Sequence, residues 1–127
     1  MQKNIPMIPN SILKLERVKA LKNAVDESIA RFHFGLGIVS AAKIICLTTY
    51  KLSLQIHEYS FFYDEIMCKR YVKTLSNKNI PNIYSAIKGF KGAFDSQVSL
   101  QSKLDATEML SRAAFNYMKW ANYSYGD

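Results

Sequence analysis

Between Ile38 and Leu75 the chain contains neither glycine nor proline, and its 127 residues hold only five glycines and three prolines. So few interruptions imply long structured segments. Ahead of this stretch, apolar residues recur at Ile12, Leu15, Val18, Leu21, Val25, Ile29 and Phe32. Steps of three and four put them on one face of a helix of about 20 residues. Asn10 or Ser11 suits its N-cap, and Gly35 and Gly37 suit its end. The first ten residues, with Pro6 and Pro9, read as an irregular arm, and residues 11–127 as one helical domain.

The segment "VSAAKIICL" reads as a buried helix. After it, Tyr50, Leu52, Leu54 and Ile56 alternate with Lys51, Ser53, Gln55 and His57, which is a strand pattern. A lone strand leaves its backbone groups unpaired, and the chain offers no convincing second strand. The expectation is therefore helix with a bend near residues 48–57. Pairing of such a strand across a homo-oligomer is the alternative. "EYSFFYDEIMCKRYVKTL" reads as a third helix and "SNKN" as a turn. Pro81 suits the first turn of a fourth helix, whose apolar face is Ile83, Ile87, Phe90 and Phe94. Asp95 or Ser96 is expected to cap a last helix carrying Ala106, Leu110, Ala113, Tyr117 and Trp120 along one stripe. The sum is all-α: a compact bundle of four to five helices. With 49% hydrophobic and 21% charged residues, the chain can bury a core without metal or disulfides.

Residues 57–68, "HEYSFFYDEIMC", gather a histidine, carboxylates and a cysteine, and so invite a catalytic reading. On a helix, His57, Asp64 and Cys68 fall near one face. His57 and Cys68 are then about 16 Å apart along the axis, at 1.5 Å per residue, whereas a nucleophile and its base must lie within about 3 Å. Asp64 beside Cys68 raises the thiol pKa, the wrong direction for a nucleophile. Neither His33 nor His57 has a glutamate three residues before it, as a di-iron bundle requires. Walker, GxGxxG and GxSxG motifs are missing from the sequence. The expectation is a non-enzyme with no cofactor and no metal. Gly89 and Gly92 form a GxxG around Lys91, the phosphate-gripping element of KH domains, but a KH sheet has no counterpart here. Small residues that admit a neighbouring helix, or that end the fourth helix early, fit those glycines better.

The segment "FHFGLGIVSAAKIICLTTY" is nearly long enough to span a bilayer, but Lys43 sits at its middle. A central lysine costs about 2.5–3.5 kcal/mol on insertion scales, so a membrane span is not expected. The N-terminus lacks the apolar core of a signal peptide. Cys46 and Cys68 lie in apolar surroundings with no metal-ligand spacing, which suits reduced thiols in the cytoplasm.

Charge is the most informative feature. Of a net +7, all but one falls between Ile66 and Lys103, where Lys69, Arg70, Lys73, Lys78, Lys88, Lys91 and Lys103 face Asp95 alone. Tyr71, Tyr84, Phe90 and Phe94 are interleaved. Lysines contact phosphates and aromatic faces stack on unpaired bases. Lys69, Arg70, Lys73, Lys78, Lys88 and Lys91 are therefore the expected nucleic-acid contacts, to phosphate backbone without sequence preference. An acidic protein surface is the other partner such charge suits. A second cluster, Lys14, Arg17, Lys19 and Lys22, is diluted by Glu16, Asp26 and Glu27. In the tail, Tyr117, Trp120, Tyr123 and Tyr125 spread around the helix and suit a protein interface.

In size, charge and the character of "LDATEMLSRAAFNYMKWA" in its last helix, the chain is similar to the small, basic, all-helical subunits of CRISPR effector complexes. That likeness implies a non-catalytic subunit of a nucleoprotein assembly, with lysines along a nucleic-acid path and aromatic residues docking a neighbour. The same features fit a phage- or plasmid-encoded inhibitor or immunity protein that blocks one protein partner. A peripheral membrane component is a third, weaker fit.

Overall fold

The computed structural model describes residues 10–56, 65–74, 80–95 and 97–125, with the side chains of 10–15, 65, 74, 95 and 122–125 left undescribed. These residues form five helices: α1 (Asn10–His33), α2 (Ile38–Ile56), α3 (Glu65–Thr74), α4 (Ile83–Asp95) and α5 (Leu100–Tyr125). The described residues contain no strand. The fold is an all-α bundle with α2 at its centre, packed against α1 on one side and α5 on another. α3 rests on α2 and α5, and α4 lies along α5. None of the described helices is long and apolar enough to cross a membrane.

α1 follows its sequence pattern, since Val25, Ile29 and Phe32 are buried and Val18 and Leu21 pack partly against them. It begins at Asn10, one residue inside the expected arm; the rest of that arm, residues 1–9, lies outside the described residues. The end of α1 is set by glycine. The Leu36 amide donates to the Arg31 carbonyl and the Gly35 amide to that of Phe32, both at 3.1 Å. This is a Schellman closure, which places Gly35 at φ 71°. Gly37, at φ 55°, then accepts the first bond of α2 from the Ala41 amide at 2.8 Å. Left-handed backbone at two positions in three residues is affordable only without a Cβ.

The expected bend at 48–57 does not occur up to Ile56, because α2 is continuous to that residue; His57 lies outside the described residues. Helical phase explains the misleading alternation. Thr49, Leu52 and Ile56 share one buried face and Cys46, Tyr50 and Ser53 the next, with Gln55 also buried. The polar residues Ser53 and Gln55 point inward, so alternation in hydropathy was not alternation in burial. Three buried hydroxyls donate to the backbone of their own helix: Thr49 Oγ1 to the Ile45 carbonyl at 2.7 Å, Ser28 Oγ to Ala24 at 3.0 Å and Thr107 Oγ1 to Lys103 at 2.7 Å.

Two caps differ from expectation. Asn82, not Pro81, opens α4: its Oδ1 accepts from the Ser85 amide at 2.9 Å and its carbonyl from Ala86 at 3.0 Å. Pro81 stands just outside. Ser99 opens α5 by accepting from the Ser102 amide at 3.2 Å, in place of Asp95 or Ser96. α4 runs on to Asp95, which carries Phe94 onto Phe90 at a ring separation of 4.7 Å. Ser96 itself lies outside the described residues. The expected inner face of α4 is otherwise as read, with Ile83, Ile87 and Phe90 buried. On α5, Leu110 and Ala113 are buried, Ala106 and Tyr117 half-buried and Trp120 exposed. Its buried surface is wider than one stripe, because Leu104, Thr107, Ser111, Ala114 and Ala121 are also covered.

Gly89 and Gly92 neither end α4 nor admit a neighbour. Both are exposed in mid-helix, and a Cβ at either would meet nothing within 4 Å. Replacing Gly89 by Ala is therefore expected to raise stability by about 0.5–1 kcal/mol. Leu52→Ala, at a fully buried site, is expected to lower it by about 2–5 kcal/mol. Urea unfolding of both variants checks this; a destabilised Gly89→Ala would mean that α4 has a partner at that position.

Candidate functional site

Small residues let α2 and α5 approach closely. Ala113, Ala114, Ala121 and Ser111 on α5 are buried, as are Ala41 and Ala42 on α2. At this contact the hydroxyls of Thr49 and Ser111 meet in a short hydrogen bond. Thr49 Oγ1 also lies 2.7 Å from the Ile45 carbonyl of its own helix. One turn along, Cys46 Sγ points at the Ser111 carbonyl at 3.6 Å. From α3, Cys68 Sγ reaches the Cys46 carbonyl at 3.4 Å. A four-residue polar seam thus joins three helices.

α3 has two further attachments. Val72 is fully buried, and the Arg112 guanidinium of α5 donates to the Val72 carbonyl at 2.5 Å. On the other flank, Tyr71 stacks on Tyr50 of α2 at 5.0 Å. Burial pushes the Tyr71 phenol above its ordinary pKa, with the Ser53 hydroxyl beside it acting in the opposite sense.

Above the seam lies an open groove of about 500 Å³. Val39, Ser40, Lys43, Cys46 and Leu47 of α2 form one side, Cys68, Lys69 and Lys73 of α3 another, and Phe115, Met118 and Lys119 of α5 the third. The floor is apolar and the rim carries four lysines from three helices. No acidic side chain among the described residues lines it. Lys119 Nζ sits over the Phe115 ring at 5.6 Å from its centroid, which fixes one of the four cations by a cation–π contact. The arrangement suits an anion with several charges, held at the rim over an apolar bed.

The cysteines add no reactivity. Neither forms a disulfide and both are buried. The hydrogen bond with Cys68, together with burial, holds the Cys46 thiol far above the usual thiol range, so it remains protonated and a poor nucleophile. His57 and Asp64, the other members of the constellation weighed from sequence, lie outside the described residues. Among those described, no group of three or more His, Cys, Asp or Glu is placed to hold a metal ion.

The expected nucleic-acid contacts do not form one cluster. Lys69 and Lys73 enter the groove, while Arg70 is exposed on α3 beyond its rim. Lys88 and Lys91 are exposed on α4, which packs on α5 and contributes nothing to the groove lining. Lys78 lies outside the described residues. Of the interleaved aromatics, Phe90 is in the core and Tyr71 and Phe94 are half-buried, leaving Tyr84 exposed. In the proposed protein interface, Tyr117 is half-buried and Trp120 exposed; the side chains of Tyr123 and Tyr125 are not described. Sequence reading missed Lys43, Lys119 and Arg112. Lys43 carried a signal, since a lone cation inside the most apolar helix must emerge somewhere.

The raised thiol and phenol values set a pH dependence. The unfolded chain loses these protons first, near pH 8.5 for a thiol and 10 for a phenol. Above those values it binds fewer protons than the folded state, so stability falls as pH rises. Urea midpoints are expected to decline beyond about pH 8.5, with Cys46→Ala flattening the first part of the decline and Tyr71→Phe the part above about pH 10. Unchanged slopes in both variants would contradict the burial described.

No protein-family model, characterised protein or solved structure matches this chain. Its function is read from the groove and the surfaces around it.

Proposed function

We propose that this chain is a non-catalytic, nucleic-acid-binding subunit that holds a phosphate backbone along the groove between α2, α3 and α5. The observation that carries the reading is the convergence of Lys43, Lys69, Lys73 and Lys119 on one concave surface. Lysines from three helices on one concave surface add their fields there, which favours a ligand carrying several negative charges. A net +7 reinforces the field. Phosphates spaced along a strand match such a rim, and recognition of this kind is independent of sequence. Exposed apolar side chains elsewhere, among them Leu36 and Ile66, suit docking to a protein neighbour in a nucleoprotein assembly. A cytoplasmic setting accompanies the reading, since the two thiols are not joined in a disulfide.

A second reading is an inhibitor or immunity protein acting on a single partner. It is favoured by Ile66 and Met67, exposed side by side with Arg70 on α3, a mixed apolar and basic surface that an acidic protein would cover. One-to-one binding to a protein in the absence of nucleic acid would support it.

The test is a binding titration of nuclease-treated protein with labelled DNA and RNA over a range of salt. Neutralising about four phosphates predicts a loss of roughly 50- to 150-fold in affinity between 50 and 200 mM salt. The Lys69→Glu, Lys73→Glu double variant is expected to bind at least tenfold more weakly with a shallower salt slope. Absence of binding at about 50 mM salt, where phosphate contacts are strongest, would overturn the proposal.

A further inference from the structure

Where the C-terminal ends of α1 and α5 meet the start of α4, the rings form a connected chain. Trp120 lies 5.7 Å from Tyr117, Tyr117 is 5.0 Å from Phe32, and Phe32 is 5.4 Å from Tyr84. His33 lies tilted against Tyr84, with ring centroids 6.0 Å apart and an interplanar angle of 33°. Phe32 is the buried hub, only 3% exposed, whereas Tyr84 is 59% and Trp120 56% exposed. The two outer rings are thus held by packing from beneath while much of their surface meets water. Phe34, in the turn that follows α1, is 80% exposed nearby. Monomers rarely leave large aromatic surface open in one place without using it.

Charge flanks the rings on both sides. Trp120 directly follows Lys119, a rim residue of the groove. Tyr84, Lys88 and Lys91 stand at i, i+4 and i+7 on α4, all exposed on one face. Gly92, beside that row, adds no side chain to obstruct it. The nearest described acidic residues on α5 are Glu108 and Asp105, at least about 18 Å from Trp120 along the axis at 1.5 Å per residue. Lys119 thus links the groove to Trp120 along α5, and Tyr84 begins the basic row of α4.

We infer that the aromatic end stacks unpaired bases, so that the ligand is single-stranded nucleic acid running from the groove past Trp120 and Tyr84 toward Lys88 and Lys91. This rests on the nucleic-acid reading above and narrows it. A duplex keeps its bases stacked inside and offers phosphates to the lysines but no face to the rings, whereas a single strand offers both. Stacking accepts any base, which agrees with recognition that does not read sequence. Lys88 and Lys91, which stand apart from the groove, then join the same path through Tyr84 on their own helix face.

Trp120 is the single tryptophan of the chain, so its emission reports directly on the proposed contact. The experiment titrates the full chain with a fluorescein-labelled 12-nucleotide oligo(dT), an oligo(U) of equal length and a 12-base-pair duplex, reading oligonucleotide anisotropy and tryptophan emission in parallel at about 50 mM salt. Expected are at least tenfold tighter binding of one or both single strands than of the duplex, and quenching of Trp120 emission that saturates with the anisotropy. Trp120→Ala and Tyr84→Ala should each weaken single-strand binding at least fivefold and leave duplex binding unchanged, while Trp120→Phe retains most of the affinity. Because both rings are exposed, circular dichroism of the variants should match the parent. Equal binding of strand and duplex, with unaltered emission and no effect of Trp120→Ala, would overturn this inference and leave backbone binding standing. Binding to none of the three would overturn both.

Discussion

The Thr49 and Ser111 hydroxyls meet between α2 and α5, with Cys46 and Cys68 extending the contact to α3. Hydroxyl-to-hydroxyl and thiol-to-carbonyl contacts across helices require axes closer than leucine-sized side chains permit, which is why alanines and serines surround them. Each polar atom is buried, so a loosened contact leaves donors and acceptors without water to replace their partners. The seam therefore sets the spacing and register of three helices, and the groove is the space left above it. Cys46 and Cys68 belong to both, joining the helices below and lining the groove above.

Once α3 is seated, electrostatics follows. Lys69 and Lys73 are one turn apart and would be ordinary surface cations on an isolated helix. Held opposite Lys43 and Lys119, they share a concave surface with an apolar floor, where the field of several charges adds and screening is weaker than over a flat face. Arg112 secures the arrangement from the side, since its guanidinium holds α3 through the Val72 carbonyl. Burial of Val72 and Cys68 adds to that hold on α3.

Much of the fold was legible in the sequence because it depends on local signals. The face of α1 and its glycine end follow from spacing and φ preference, and so does the inner face of α4. The reading near residues 48–57 failed because Ser53 and Gln55 are polar residues on a buried face, and hydropathy cannot distinguish an inward serine from an outward one. Caps were misplaced where several competent residues stand close together, as in "DSQVS"; α4 runs on to Asp95, with Phe94 against Phe90. The groove was only half legible. Lys69 and Lys73 were found from charge density along the chain, but Lys43 and Lys119 lie in segments read as core and interface. Periodicity tells which residues share a face, not which helices pair, and the pairing is what brings these four together.

On the proposed function, one surface, built by α2, α3 and α5, receives the nucleic acid. Two-dimensional ¹H–¹⁵N spectra of labelled protein, recorded with and without a short oligonucleotide, test it most directly. Amide shifts are expected at residues 39–47, 68–73 and 115–120, extending to 84–91 with an oligonucleotide long enough to pass Trp120, while the exposed side of α1 around Arg17 and Lys19 stays unmoved. Shifts centred on α1, or a spectrum unaltered at saturating oligonucleotide, would contradict it.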